Sequence, residues 1–281
     1  MDLSRPTAEV FVPDGAPPAA ALARTTHLAI AAHADDVEMM ALHGILACFG
    51  RPDRHFAAAI VTDGAGSPRS GPYAAFSDAE MRAVRRREQL KAAMVGEYGA
   101  IVLLDHTSRD ARSGDDRVVA DLVAVLEATR PEVVYAHNPI DRHDTHVAVA
   151  LRTISALRRL PAEMRPARVL GCEVWRDLDW LLPADRVELD AGGHDSLAAA
   201  LIGVHDSQIA GGKRYDLAAL GRRRANATFG ESYATDTSEG LTLALDLTPL
   251  VRDDSLDVGD FVAAAVARFA ADAAKRIREH R

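Results

Sequence analysis

His33, Asp35 and Asp36 stand in "AHADDVE", where the apolar run His27–Ala32 gives out. Two carboxylates at the end of a buried strand carry a large desolvation cost unless something neutralises them. His33 and Asp36 are three positions apart, which sets an imidazole and a carboxylate on one face of a first helical turn. "DRHDTH", Asp141–His146, supplies His143 and His146 at the same spacing and also at a helix entry. Two imidazoles and a carboxylate, with water in the remaining position, make the open tetrahedral site of a catalytic zinc. Asp35, left off the metal, could take a proton from the activated water. His143 could stabilise an oxyanion or protonate a leaving amine. Such parts suffice to hydrolyse an amide. On residue types alone a bland reading stays open: each histidine could be structural, and Asp35 or Asp36 could be a helix N-cap.

Strands and helices must bring these clusters together. Strands are predicted at His27–Ala32, Phe56–Thr62, Ile101–Leu104, Glu132–Ala136, Val169–Val174, Val187–Leu189 and Thr242–Leu247. Between them the spacing predicts helices from about Met39 to Phe49, from Ser77 to about Glu97, at Asp116–Thr129 and at His146–Leu160. Further helices are expected within "SLAAALIGVHDSQ" and "RYDLAALGRRRANA", and at Asp260–Glu279. Ser77 followed by Glu80 reads as a capping box. Alternation of this kind means βαβ units on a mostly parallel, Rossmann-like α/β sheet flanked by helices. Sites in such sheets form beyond the carboxyl ends of the strands. "HADD", "TDGAGS", "DHTS" and "HNPIDRHDTH" all fall there. Residues 1–24 read as a mostly extended arm and 25–281 as a single domain, with about 161–250 forming a smaller cap and extra strands.

The motifs resemble those of the LmbE-like (PIG-L) N-acetylglucosaminyl deacetylase family. "AHADDVE" is similar to that family's "AHxDDxE" signature, and "HDTH" to its later "HxxH" element. "VRRREQLKAAMVGEYG" resembles its "R-x-x-E-x-x-x-A" helix, with Arg85, Glu88 and Ala92 in phase. "LLDH" matches an aspartate after the third strand, and "VHDSQ" a late "HxSQ" element. The resemblance covers roughly Thr26 to Gln208. It implies a zinc-dependent hydrolase that removes acetyl from an N-acetylglucosamine-containing small molecule. It also implies His33, Asp36 and His146 as ligands, Asp35 as general base and His143 as oxyanion stabiliser or acid. Arg85 and Asp105 would contact sugar hydroxyls, though Arg85 could equally be an exposed cation paired with Glu88. Thr145 departs from the pattern, since many members place an aspartate there to orient and charge the neighbouring histidine. Asp141 or Asp144 could take that part. The same departure supports the alternative of a catalytically degenerate sugar-binding member.

The bulk properties exclude other classes. With 281 residues, 48% hydrophobic and 26% charged, the chain is of ordinary globular composition. A net charge of −8 argues against nucleic acid or an anionic membrane as partner. The basic runs at 85–88 and 221–226 read as solvated or salt-bridged helix faces. Cys48 and Cys172 read as reduced core residues, which suits a cytoplasmic protein. No stretch has the length of a membrane span. "TDGAGS" could cradle a phosphate, but neither a G-x-G-x-x-G nor a Walker A pattern is present. Two imidazoles and a carboxylate also accept iron, cobalt or nickel, so the metal is open beyond zinc. The arm could wrap a second copy as a homo-oligomer. Specificity is expected in loops 63–77, 106–115 and 175–185, where Trp175 and Trp180 either stack on a sugar or fill the cap core.

Overall fold

A computed structural model describes residues 1–281. Eight strands form one sheet: β1 (Glu9–Phe11), β2 (His27–Ala31), β3 (Phe56–Thr62), β4 (Ala100–His106), β5 (Val133–His137), β6 (Arg168–Cys172), β7 (Arg186–Asp190) and β8 (Leu241–Asp246). Their spatial order is β1-β4-β3-β2-β5-β6-β8-β7. The central β4, β3, β2, β5 and β6 run parallel, while β1, β8 and β7 join antiparallel at the flanks. The fold is therefore the mostly parallel α/β sheet expected.

Both faces of the sheet are covered, which is why β2 and β3 are apolar throughout rather than alternating. Successive residues of β2 feed opposite layers. Leu28 and Ile30 pack with Leu122 and Val149, whereas Ala29 and Ala31 pack with Val37 and Ile45. Each fully buried Leu or Ile contributes roughly 1.5–3 kcal/mol, and the two layers together give the sheet the rigidity a site on its rim needs.

The chain runs from β2 outward through β3 to β4, then crosses back to lay β5 on the other side of β2. The carboxyl ends of β2 and β5 are thus neighbours at a topological switch point, with Ile30 opposite Ala136. The crevice such a reversal opens is the standard ligand position of open α/β sheets. "HADD" follows one of these strands and "HNPIDRHDTH" the other.

Several local expectations hold to the residue. The Ser77–Glu80 capping box is formed, with the Ser77 amide donating to Glu80 Oε2 at 2.8 Å and the Glu80 amide to Ser77 Oγ at 3.3 Å. Such a cap stabilises a helix by about 1 kcal/mol; here the helix is Asp78–Val95. The helix Asp116–Thr129 is also as expected. Both cysteines are buried and free.

Other expectations need correction. The helix expected from Met39 to Phe49 begins at Asp36 and breaks at Ala41 into Asp36–Met40 and Leu42–Cys48. The N-terminal segment is not simply extended, because Glu9–Phe11 pair with Ile101–Leu103 as an edge strand and Pro18–Ala23 is helical. The basic runs are solvated or salt-bridged only in part: Arg86 pairs with Glu9 and Arg224 with Asp195, whereas Arg85 and Arg223 are buried. The C-terminal helix covers Val258–Glu279, and no helix is long and apolar enough to cross a membrane.

Candidate metal centre

Asp36 opens its helix, and its Oδ2 accepts the His33 amide at 2.8 Å, which folds the two residues onto each other. His146 lies in the first turn of the helix Asp144–Arg159, entered from β5. The switch point brings the two turns into contact. His33 Nδ1, Asp36 Oδ2 and His146 Nε2 form a triangle with edges of 3.1, 3.2 and 3.3 Å. Four tetrahedral ligands about 2.0–2.1 Å from a zinc stand roughly 3.3 Å apart. The three atoms therefore already have the spacing of one tetrahedral face, and the donor set fits the ion.

Two further triplets are close enough to hold a metal: His33 with His143 and His146, and Asp36 with His137 and His146. His137 was not singled out in the sequence. Its Nε2 lies 3.4 Å from Asp36 Oδ2 but accepts the Ala32 amide at 2.9 Å, so its lone pair is already engaged. Burial drives its pKa down to about 4, and a neutral ring buttressing Asp36 is its place in the site.

The charges at the centre are tuned in opposite directions. Burial works against the charge of Asp36, but His146 outweighs it and holds the carboxyl well below the usual range. Asp35 behaves differently. Burial, reinforced by the charge of Asp36, pushes its carboxyl up against the pull of Arg85. His146 is raised to about 9, because Asp36 and Asp141 overcome the effect of burial. Its Nδ1 lies 3.2 Å from Asp141 Oδ2, the carboxylate–imidazole arrangement that orients metal-binding histidines. Asp141 thus serves His146 and not His143, whose Nδ1 takes no carboxylate in place of the one Thr145 replaces. Asp144 is exposed.

His143 caps the same helix, its Nδ1 accepting the Thr145 amide at 3.2 Å. The neutral ring then carries its proton on Nε2. Burial, with the fields of His146 and His33, lowers its pKa to about 4. A hydrogen-bond donor fits this state, whereas an acid does not.

Arg85 is 2% exposed, which excludes the exposed-cation alternative. Its Nη2 donates to the Ala34 carbonyl and lies 3.2 Å from Asp35 Oδ1. Asp105 is not brought to the centre. It is paired with Arg82 and Thr7, and lines a separate cavity whose wall includes Arg82 and Thr7. Its position at the end of β4 gave no sign of these partners, since Thr7 lies 98 residues away in the chain. His205 is structural, its Nε2 lying 3.0 Å from the buried Glu38 carboxylate.

The centre opens into a cavity of 450 Å³, within the roughly 300–1,000 Å³ of small-molecule sites. Each expected loop contributes: Gly64 and Ser67, then Ser108 and Arg112, then Trp175. Trp180 does not; it packs on Phe269. Gly64 sits at φ +72°, and a Cβ there would come within 3.0 Å of Arg85. A fourth segment, from Gln208 to Tyr215, completes the wall.

The PIG-L family, described as GlcNAc-PI de-N-acetylase, matches residues 28–157. That stretch contains all three donors as well as Asp35, Arg85, Asp141 and His143, and the resemblance read from the motifs holds. Among solved structures, a conserved protein from Thermus thermophilus is similar at 18% identity and TM-score 0.57, covering 77% of this chain and 93% of its own. The 4-carboxy-2-hydroxymuconate hydratase of Pseudomonas putida is similar at 17% identity and TM-score 0.57, over 79% and 96%. The N,N'-diacetylchitobiose deacetylase of Pyrococcus horikoshii is similar at 19% identity and TM-score 0.57, over 78% and 83%. At these identities the likeness shows the fold, which evidently carries more than one chemistry. No curated protein matches the sequence.

Proposed function

We propose that the chain, whose residues 28–157 match the PIG-L family, is a zinc-dependent hydrolase removing an acetyl group from an N-acetylglucosamine-containing small molecule. The observation that carries this reading is the triangle of His33, Asp36 and His146 at tetrahedral spacing, with a second carboxylate, Asp35, beside it but outside it. His33, Asp36 and His146 would hold the ion, and Asp141 would orient His146. When bound, a divalent zinc supplies Lewis acidity that polarises the amide carbonyl and makes nearby water more acidic.

The remaining work falls to the side chains. Asp35 takes the proton of the attacking water and later delivers it to the departing amine nitrogen. A carboxyl raised above its ordinary value is suited to both directions of transfer. Arg85 fixes the Asp35 carboxyl group in place and favours its ionised form before it takes the proton and after it has delivered it. His143, neutral and with its free N–H on Nε2, donates to the oxygen on which charge develops. Trp175, with its ring centroid 6.0 Å from that of His143, offers an apolar face for the sugar. The acceptor of the acetyl group is water, so acetate and a free amine leave.

The degenerate-binder alternative rests on Thr145, but a neutral His143 that acts by donating a hydrogen bond does not need the carboxylate that Thr145 replaces. A screen of the zinc-loaded protein for acetate release across N-acetylglucosaminides tests the proposal. Acetate from at least one of them, abolished by a chelator and restored by zinc, is the expected result. No release from any, by protein with full zinc content, would overturn it.

A further inference from the structure

The closing helix, Val258–Glu279, is 22 residues long and has a single buried residue, Ala265. One of its faces touches the body of the protein. Val258 and Phe261 pack against the core, Phe269 meets Trp180 edge-on with ring centroids 5.7 Å apart, and Arg268 pairs with Asp185. A different face carries Ala263, Val266, Ala270, Ala273 and Ile277. Their spacings alternate between three and four residues, the repeat by which one helix seats against another along its length. At about 100° per residue this stripe stands roughly 120° round the helix from the face that meets the body. Nothing in the chain covers its large members, Val266 being 44% and Ile277 58% exposed. Helices in proteins draw most of their stability from packing an apolar face, and this face runs bare for roughly 21 Å.

The charges at its two ends identify the occupant. Asp257 and Asp260 at the start make no ion pair, and neither do Arg278 and Arg281 at the finish, whereas Lys275 and Arg276 are held by Glu279 and Asp272. A surface acidic at one end and basic at the other complements itself when reversed. We propose that two copies of the chain pair antiparallel through this stripe, as a two-fold symmetric dimer. Val266 of one copy then seats against Ile277 of the other, and Ala270 against Ala273, each contact occurring twice about the axis. The alanines at the middle let the two backbones approach to about 8 Å. The free acids of each copy meet the free arginines of the other, and the helix dipoles oppose. The surface area agrees. The chain exposes 12702 Å², whereas a compact monomer of its 30.1 kDa exposes about 11,700 Å². The surplus of roughly 1,000 Å² is near the ~800 Å² that each partner covers in a stable interface of standard size. No residue of this helix lines the cavity over the metal centre, so the pairing is independent of the hydrolase reading.

Sedimentation equilibrium of the full chain at micromolar concentrations tests this, and should give a species of twice the chain mass. Val266→Glu/Ile277→Glu should raise the dissociation constant about a hundredfold or more, with an unchanged circular dichroism spectrum. Asp260→Lys should weaken the dimer about tenfold at low salt, and adding Arg278→Glu/Arg281→Glu should restore it. Cysteines report the direction even if the glutamates disturb folding. Val266→Cys and Ile277→Cys chains, oxidised as a mixture, should form covalent dimers. Either variant alone should not, because in antiparallel copies like residues lie roughly 16 Å apart along the axis, beyond the reach of a disulfide. A wild-type chain that stays monomeric would overturn the proposal. So would a dimer that survives Val266→Glu/Ile277→Glu, or single cysteine variants that link to themselves. A monomeric chain that binds anionic lipid vesicles, and loses that binding in the glutamate variant, would overturn it in favour of a membrane as the occupant.

Discussion

The Asp35 amide donates to Gln89 Oε1 at 3.1 Å while Asp35 holds a backbone φ of +92°. A non-glycine residue there is strained, typically by about 1–3 kcal/mol, and persists only when its surroundings hold it. Gln89 is itself held, its Nε2 donating to the buried Glu38 carboxylate at 2.9 Å. Glu38 also receives Tyr98 and His205, so the aim of Asp35 is set by a buried polar network behind it. Gln89→Met should lower kcat about 10–100-fold, as misplacement of a reacting group by an ångström does, while zinc content stays at the wild-type level. Kinetics and elemental analysis on the same preparation check this.

Asp35→Asn should retain zinc and lose about 10²–10⁴ in kcat, the usual worth of a positioned proton carrier. In the wild type, activity should rise with pH as Asp35 ionises, on a limb above the ordinary aspartate value. Arg85 favours the ionised form, so Arg85→Gln should move the limb of kcat up by about a unit. A limb that does not move would assign it to another group.

Asp141→Asn should weaken zinc binding about 10–100-fold, as loss of a histidine's orienting carboxylate does. The pH dependence has a defined sign. Without metal His146 stays protonated up to about 9, and only the neutral ring can bind the ion. Zinc affinity should therefore strengthen steadily as pH rises towards 9, with one proton released per ion over that range. Competition titrations with a chelating dye at several pH values measure it.

His27 predicts the acid stability of the fold. Burial lowers its pKa from 6.5 to about 4. Between those values the unfolded chain takes up a proton that the folded chain refuses, so stability is full above 6.5 and declines as pH falls towards 4. The decline should amount to roughly 1–3 kcal/mol, and His27→Gln should flatten it. Urea denaturation at about pH 7 and about pH 4.5, on either side of most of that window, compares the two.

Local signals were legible in the sequence wherever the physics is local. The spacings of His33 and Asp36, and of His143 and His146, place pairs on one helical face, and Ser77 with Glu80 closes its own box. The parallel sheet follows from apolar runs alternating with helices. What was hidden depends on distant partners. Glu9–Phe11 is too short for a period, and becomes a strand only because β4 offers an edge. Asp105 looked free until Arg82 and Thr7 met it across the fold. His137 is concealed at the end of an apolar strand, and Asp141 as one acid among several in its loop.

The account stands on one ion held by His33, Asp36 and His146. Elemental analysis of purified protein, with an Asp36→Ala/His146→Ala variant prepared in parallel, is its most direct measurement. About one zinc per chain in the wild type, and near none in a variant that remains folded by circular dichroism, is the predicted result. Equal metal content in the two folded proteins would contradict it.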